Sequence, residues 1–336
     1  MDPATVATVD REPHGGANES GLTDFSANTN PKTPDGIFER ITEAHQDATR
    51  YPPEPPRAFM EAAGNYLDVP PEQVVPTPGG LAAIRLALEV TLEPGDTALL
   101  PVPSFGEYRR EVRLQGAEAT LAPHDEIHTW DPAPFDVAVV CTPNNPTGEA
   151  YDPDALVRFA DRCRAADTPL LVDEAFLGFT TFPSLAGSEG VIVARSLTKL
   201  FGLPGLRMGF AVATDDLRAR LERARQTWNM GTPALEAGQY AMRDTGFVEE
   251  TRSRVAAERA RMAATLGDRF DIYPSDAPFL LLDVGARSVD DVLSHARENG
   301  FAIRDARTFE TLDSHVRIAV RLPEENRALE EVLLDV

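Results

Sequence analysis

Apolar positions cluster in short continuous runs, not in alternation, along the middle of the chain. TALLPV (97–102), DVAVVCT (136–142), PLLVDEAF (169–176), VIVARSLT (191–198) and MGFAVAT (208–214) are such runs. Strands with one wet face would alternate; these read as strands buried on both faces. Between them the apolar period lengthens to that of a helix, as in PDALVRFADRCRAAD (153–167), with Asp152 placed to cap and Pro153 at the first helical position. GIFERITEAHQDA (36–48) reads as an amphipathic helix, stopped by the prolines at 52–56. Strand–helix–strand alternation from about residue 74 predicts an α/β fold, a mostly parallel central sheet with helices on both faces. DLRARLERARQTW (216–228) begins a long helical region leading away from it. FLLLDV (279–284) and HVRIAV (315–320) fall among helices and predict a smaller α+β C-terminal domain. The expected organisation is an N-terminal arm and joining segment (1–45), a large α/β domain (46–245) and the small domain (246–336). Residues 1–35, rich in Pro, Gly, Asn and Thr, read as irregular.

In such sheets ligands bind beyond the carboxyl ends of the strands, and the candidate chemistry falls there. Lys32 and Lys199 are the only lysines among 32 basic residues. Lys199 follows a strand, with Ser196 and Thr198 before it and Arg207 eight residues on, between Gly205 and Gly209. Only an amine forms a Schiff base with an aldehyde, so arginine cannot replace lysine in that role. Pyridoxal 5′-phosphate is the aldehyde cofactor that would also explain the arginine and hydroxyls, as a phosphate cup. Gly79, Gly80 and Leu81 open a helix whose backbone N–H groups favour the same phosphate. Asp173 ends a strand and could keep the pyridine nitrogen protonated, or simply begin a turn. Asn145, in CTPNNPTG (141–148), could donate to the ring oxygen and approach a substrate carboxylate, or serve an Asn-Pro turn. Phe105 and Tyr108, in VPSFGEY (102–108), could lay an aromatic face on the ring or belong to the core. Arg304 and Arg317 sit in apolar segments, which favours an anion beside them, from substrate or from a structural carboxylate.

Composition narrows the partners. The chain has 336 residues, 42% of them hydrophobic, enough for a sizeable core. Its formal net charge of −22, from 54 acidic and 32 basic residues, argues against nucleic acid and anionic membranes. An acidic, lysine-poor surface suits molar cytoplasmic salt, although a GC-rich genome would also favour arginine. Two cysteines, Cys141 and Cys163, make no disulfide framework, and residues 1–24 lack an apolar signal core, so a cytoplasmic protein is expected. His124 and His128 have i,i+4 spacing but lie in a loop-like acidic stretch, and no metal site is expected.

Taken together, Asn145, Asp173, Lys199 and Arg207 resemble the aspartate aminotransferase fold type (fold type I) of pyridoxal-phosphate enzymes, from about His14 to the C-terminus. Within it the chain is similar to two groups, threonine-phosphate decarboxylases of cobalamin biosynthesis and histidinol-phosphate aminotransferases. HGG (14–16), DFSANTNP (24–31), RYP (50–52), CTPNNPTG (141–148), DEAF (173–176), RSLTK (195–199), PGLRMG (204–209) and LDSHVRIAVR (312–321) look more like the decarboxylase. Phe176 stands where aminotransferases of this fold usually carry a tyrosine that hydrogen-bonds the ring hydroxyl. The resemblance implies a homodimer with shared active sites acting on a small phosphorylated amino acid. It implies that Arg317 binds the α-carboxylate, helped by Asn145 and the backbone around Asn28. Arg304, His14 and Tyr51 of the neighbouring subunit would surround the substrate phosphate. The chain departs from the pattern in a shortened stretch between His14 and Asn28, and in Gly80-Leu81-Ala82, where polar side chains are usual; only backbone donors remain there. Decarboxylation of threonine phosphate is the expected reaction, with transamination of histidinol phosphate or a related amine as the alternative.

Overall fold

A computed structural model describes residues 1–17 and 19–336. A one-turn helix α1 (Pro3–Val6) and short strand β1 (Thr23–Asp24) precede helices α2 (Ile37–Gln46) and α3 (Arg57–Leu67). The main sheet follows: β2 (Val74–Thr77), β3 (Thr97–Val102), β4 (Glu118–Pro123), β5 (Val137–Cys141), β6 (Leu170–Asp173), β7 (Val191–Ser196) and β8 (Gly209–Val212). Their order across the sheet is β2-β8-β7-β6-β5-β3-β4. Neighbours from β7 to β4 run parallel, whereas β8 runs antiparallel to both β7 and β2.

The continuous apolar runs have their cause in two cores, one on each face. Val139, Leu171, Ile192 and Ala211 point to the face covered by α4 (Gly80–Thr91) and α5 (Glu107–Leu114), meeting Ile84, Leu88 and Val112. Val140, Val172, Val193 and Val212 point the other way, toward Phe59 of α3, Phe159 of α6 (Pro153–Ala165) and Ala237, which lies beyond α7 (Asp215–Ala224) on α8 (Thr232–Met242). Asp152 caps α6 as expected, its carboxylate accepting from Ala155 N at 2.8 Å.

Helix α9 (Thr245–Leu266) leads to a four-stranded antiparallel sheet. It contains β9 (Asp271–Ile272) and β10 (Phe279–Asp283); after α10 (Val289–Glu298) and β11 (Phe301–Ala302) come β12 (Arg304–Asp305), β13 (His315–Ala319) and the final helix α11 (Pro323–Leu334). Its order is β12-β13-β10-β9, while β11 pairs in parallel with β1, tying residues 23–24 to this unit. Among the described residues, no helix is long and apolar enough to cross a membrane.

Two expectations change. The region from 216 onward is not one helix: α7 stops at Ala224, Trp228 takes a left-handed φ of 54°, and α8 restarts with Pro233 in its first turn, which has no N–H to continue a preceding helix. The arm is not wholly irregular, since Asp2 caps α1 and β1 finds a parallel partner 278 positions away in Phe301–Ala302 (Thr23 opposite Phe301).

Candidate active site

The carboxyl ends of β5, β6 and β7 open into a cavity of about 320 Å³, closed on the far side by β12, β13 and the arm. Lys199 lies within it, three residues past β7. Burial, then the positive charges of Arg317 and Arg207, bring its amine down to about 8. A lowered value leaves more free amine at neutral pH, the form that attacks an aldehyde.

Beside it is a cradle made by close backbone approach. Gly79 has φ +98°, and a Cβ there would lie 2.6 Å from Arg207 Nη2. At Gly209 a Cβ would lie 2.6 Å from Arg195 O and from Gly79 C, so glycine is what lets β8 pass the start of α4. Gly80, Leu81, Ser196, Thr198 and Arg207 line this end of the cavity, and the Ser196 and Thr198 hydroxyls are 2.9 Å apart. Gly79 itself does not line it but caps α4. The first N–H groups of α4 have no partner within the helix, which suits an anion.

Asp173 is the last residue of β6 and is buried. Burial raises its carboxyl above the usual range, opposed by hydrogen bonds from Tyr108 and the Ala175 N–H and by the charge of Arg195. The Tyr108 hydroxyl donates to Asp173 Oδ2 at 2.5 Å, and Ala175 N to Oδ1 at 2.9 Å. Phe105 lines the cavity and stands edge-on to Tyr108, with ring centroids 5.7 Å apart. Phe176 lies edge-on to Phe279 at 5.1 Å and presents no hydroxyl.

The opposite wall carries two buried guanidinium groups on paired strands. Arg304 on β12 lies in register with Arg317 on β13. Arg317 donates to Asn145 Oδ1 at 2.5 Å and to Ser26 O at 3.0 Å. Arg304 donates to Pro13 O at 2.7 Å and Thr308 Oγ1 at 2.8 Å. Among the described residues neither has a carboxylate partner, which leaves two buried positive charges facing one cavity. Burial, and secondarily Arg304, pull Arg317 down to about 9. The Phe309 ring lies 5.6 Å from the Arg304 guanidinium and 5.5 Å from that of Arg317. Asn28 lines the same wall with its Oδ1 buried and without a partner, as is Arg317 Nε. Such orphaned polar atoms beside a glycine cradle are what a site shaped for a phosphate-bearing cofactor and an anionic substrate would leave unsatisfied.

The cavity therefore gathers His14, Asn28, Gly80, Leu81, Phe105 and Asn145 with Asp173, Phe176, Ser196, Thr198, Lys199, Arg207, Arg304 and Arg317. His14 reaches it despite the short arm, held by Glu107 at 2.9 Å. Tyr51 stays outside this chain's cavity, 77% exposed and stacked on Trp228 at 4.3 Å. His124 bonds to Glu149 and Thr147. The partnership of Tyr108 with Asp173, the buried Glu107, and Phe309 between the arginines were not read from the sequence. A tyrosine three residues after Phe105, on the inner face of α5, was the only signal for the first.

Fold and cavity together define an enzyme of aminotransferase architecture, fold type I. The chain belongs to the aminotransferase class I and II family, which matches residues 20–333 and whose members depend on pyridoxal phosphate. It is 30% identical to a threonine-phosphate decarboxylase of Salmonella typhimurium over 340 residues, covering 96% of this chain and 93% of the relative. It is 32% identical to a histidinol-phosphate aminotransferase of Symbiobacterium thermophilum over 336 residues, covering 94% and 91%. The fold is shared with the histidinol-phosphate aminotransferase from Sinorhizobium meliloti in complex with pyridoxal-5′-phosphate, at a TM-score of 0.83 and 20% identity, over 100% of this chain and 94% of that one.

Proposed function

We propose that this enzyme decarboxylates L-threonine O-3-phosphate to (R)-1-amino-2-propanol O-2-phosphate, a reaction of cobalamin biosynthesis. The observation that carries the reading is the pair of buried arginines without carboxylate partners, Arg304 and Arg317, on the wall opposite Lys199. Two uncompensated charges call for a substrate with two anions, a carboxylate and a phosphate. In this reading Arg317 and Asn145 take the carboxylate, while Arg304 and His14 take the phosphate. The cofactor would be attached through Lys199, with its phosphate at Gly80, Leu81, Ser196, Thr198 and Arg207, its ring on Phe105 and its nitrogen at Asp173. When bound, pyridoxal phosphate supplies an electron sink for the bond broken at the α-carbon. Lys199 would hold and deliver the proton at that carbon, and Phe105 and Phe176 would help exclude water.

Phe176 favours decarboxylation, because the hydroxyl usual at this position in aminotransferases is missing. A second reading, transamination of histidinol phosphate, is favoured by the equally similar aminotransferase relatives. The two carboxylates of its partner substrate, glutamate, would also match the two arginines.

The proposal includes a homodimer with Tyr51 entering the partner's cavity, in a chain divided at about residues 45 and 245. It is supported by the exposed stacked pair of Tyr51 and Trp228, 77% and 48% exposed. The test is CO₂ release from threonine phosphate by purified enzyme without any 2-oxo acid. Arg304→Ala should impair threonine phosphate far more than free threonine; equal impairment of both would remove the phosphate role.

A further inference from the structure

Asp173 is held from behind by a residue that never meets the cavity. Tyr108 is fully buried on α5, among Val112, Val139 and Cys141, and does not line the site. Its hydroxyl donates to Asp173 Oδ2 at 2.5 Å, and its ring meets Phe105 edge-on. One side chain thus supports both the carboxylate under the proposed ring nitrogen and the aromatic face beside the ring. We propose that Tyr108 is a positioning residue that keeps Asp173 ionised and aimed at the cofactor's ring nitrogen. The inference rests on the assignment of Asp173 made above.

The physical argument is one of competing costs. A carboxylate buried at the end of β6 loses its hydration and is driven toward the neutral acid. As a neutral acid it could not balance a protonated pyridine. Arg195, whose positive charge acts on it, is engaged with Glu174 at 3.1 Å, so short-range donors carry much of the burden. There are two, the Ala175 N–H and the Tyr108 hydroxyl, one on each carboxylate oxygen. The Ala175 donor is backbone and fixed by the turn after β6; Tyr108 is the one that a side-chain change can remove. Burial and the Asp173 charge push the Tyr108 hydroxyl well above its ordinary value, so it remains a donor throughout the working pH range. Cys141 Sγ, also buried nearby, donates instead to Pro143 O at 3.3 Å.

The test compares apoenzyme affinities for pyridoxal phosphate and for its carbocyclic analogue, in which the ring nitrogen is a C–H. Wild type should prefer the nitrogen-bearing cofactor. Tyr108→Phe, which deletes one oxygen, should weaken pyridoxal phosphate on the order of tenfold or more and leave the analogue nearly unchanged. Equal weakening of both ligands would make Tyr108 a merely structural residue and overturn the proposal. A wild type without any preference for the nitrogen would overturn the Asp173 assignment itself, and the proposal with it. A double-mutant cycle gives a second reading in case the single variant is poorly folded. Once Asp173→Asn is in place, adding Tyr108→Phe should cost no further affinity; fully additive losses would contradict the coupling.

Discussion

The two walls of the cavity are built on opposite principles. The cofactor wall consists of strand ends and tight turns, where Gly209 lets β8 approach the Arg195 and Gly79 backbone within a distance that forbids a side chain, and Gly79 leaves room for the Arg207 guanidinium. Its charged groups are few and internally supported, Asp173 by Tyr108 and Ala175. The substrate wall instead places Arg304 and Arg317 side by side, without carboxylate partners among the described residues; both lie over the Phe309 ring and Arg317 also over that of Phe279. One wall is complementary to a fixed resident group, and the other retains unbalanced charge for a visitor. The difference teaches where a substitution should act: on attachment of the cofactor in the first, and on substrate choice in the second.

The sharpest break of the cofactor wall is Lys199→Ala. It should abolish covalent attachment and turnover, with loss of acid–base assistance alone worth roughly 10²–10⁴-fold, while the fold persists. Borohydride reduction of wild type should leave a pyridoxyl adduct on Lys199; an adduct on Lys32 would refute the assignment. On the substrate wall, Arg304→Ala should lower kcat/KM for threonine phosphate on the order of 10²-fold. Steady-state kinetics with cofactor affinity measured in parallel separates the walls, since that affinity should stay unchanged. Gly209→Ala does the reverse. Its Cβ must displace backbone at 2.6 Å, for a stability cost of about 1–3 kcal/mol in thermal or urea melts, and weakened cofactor binding.

The two walls communicate through charge. With the Lys199 amine at about 8, the rate at which apoenzyme takes up the cofactor should rise with pH and level off above that value. Protonated amine is unreactive, so the rising limb marks deprotonation. Arg317→Gln removes a positive charge that disfavours protonation of Lys199, and the inflection should move to higher pH; an unmoved profile would separate the walls electrically. The smallest effect concerns the whole surface. A net charge of −22 should make the melting temperature rise between dilute buffer and molar KCl, and indifference to KCl would favour the codon-bias account of the arginine excess.

The same contrast explains what could be read from the sequence. Strand-end motifs are local, so Lys199, Asp173, Asn145 and the glycines were legible along with the parallel sheet, because burial on both faces leaves continuous apolar runs. The substrate wall joins segments nearly 300 positions apart, as in the bond from Arg304 to Pro13 O, and no local pattern encodes that meeting. Arg304 and Arg317 still stood out, being charges within apolar strands. Phe309 drew no notice, and Tyr108, a candidate for the ring's aromatic face, lies instead behind Asp173 and outside the cavity. Nor did periodicity reveal the break after Ala224, where Trp228 turns left-handed before Pro233 starts the next helix.

The most direct measurement gives one preparation of enzyme threonine phosphate alone and, separately, histidinol phosphate with 2-oxoglutarate. A cavity with two arginines for two anions, and phenylalanine at position 176, should release CO₂ from the first in proportion to the aminopropanol phosphate formed, and yield no glutamate from the second. Glutamate from the second, with no CO₂ from the first, would contradict the account and make this enzyme the aminotransferase.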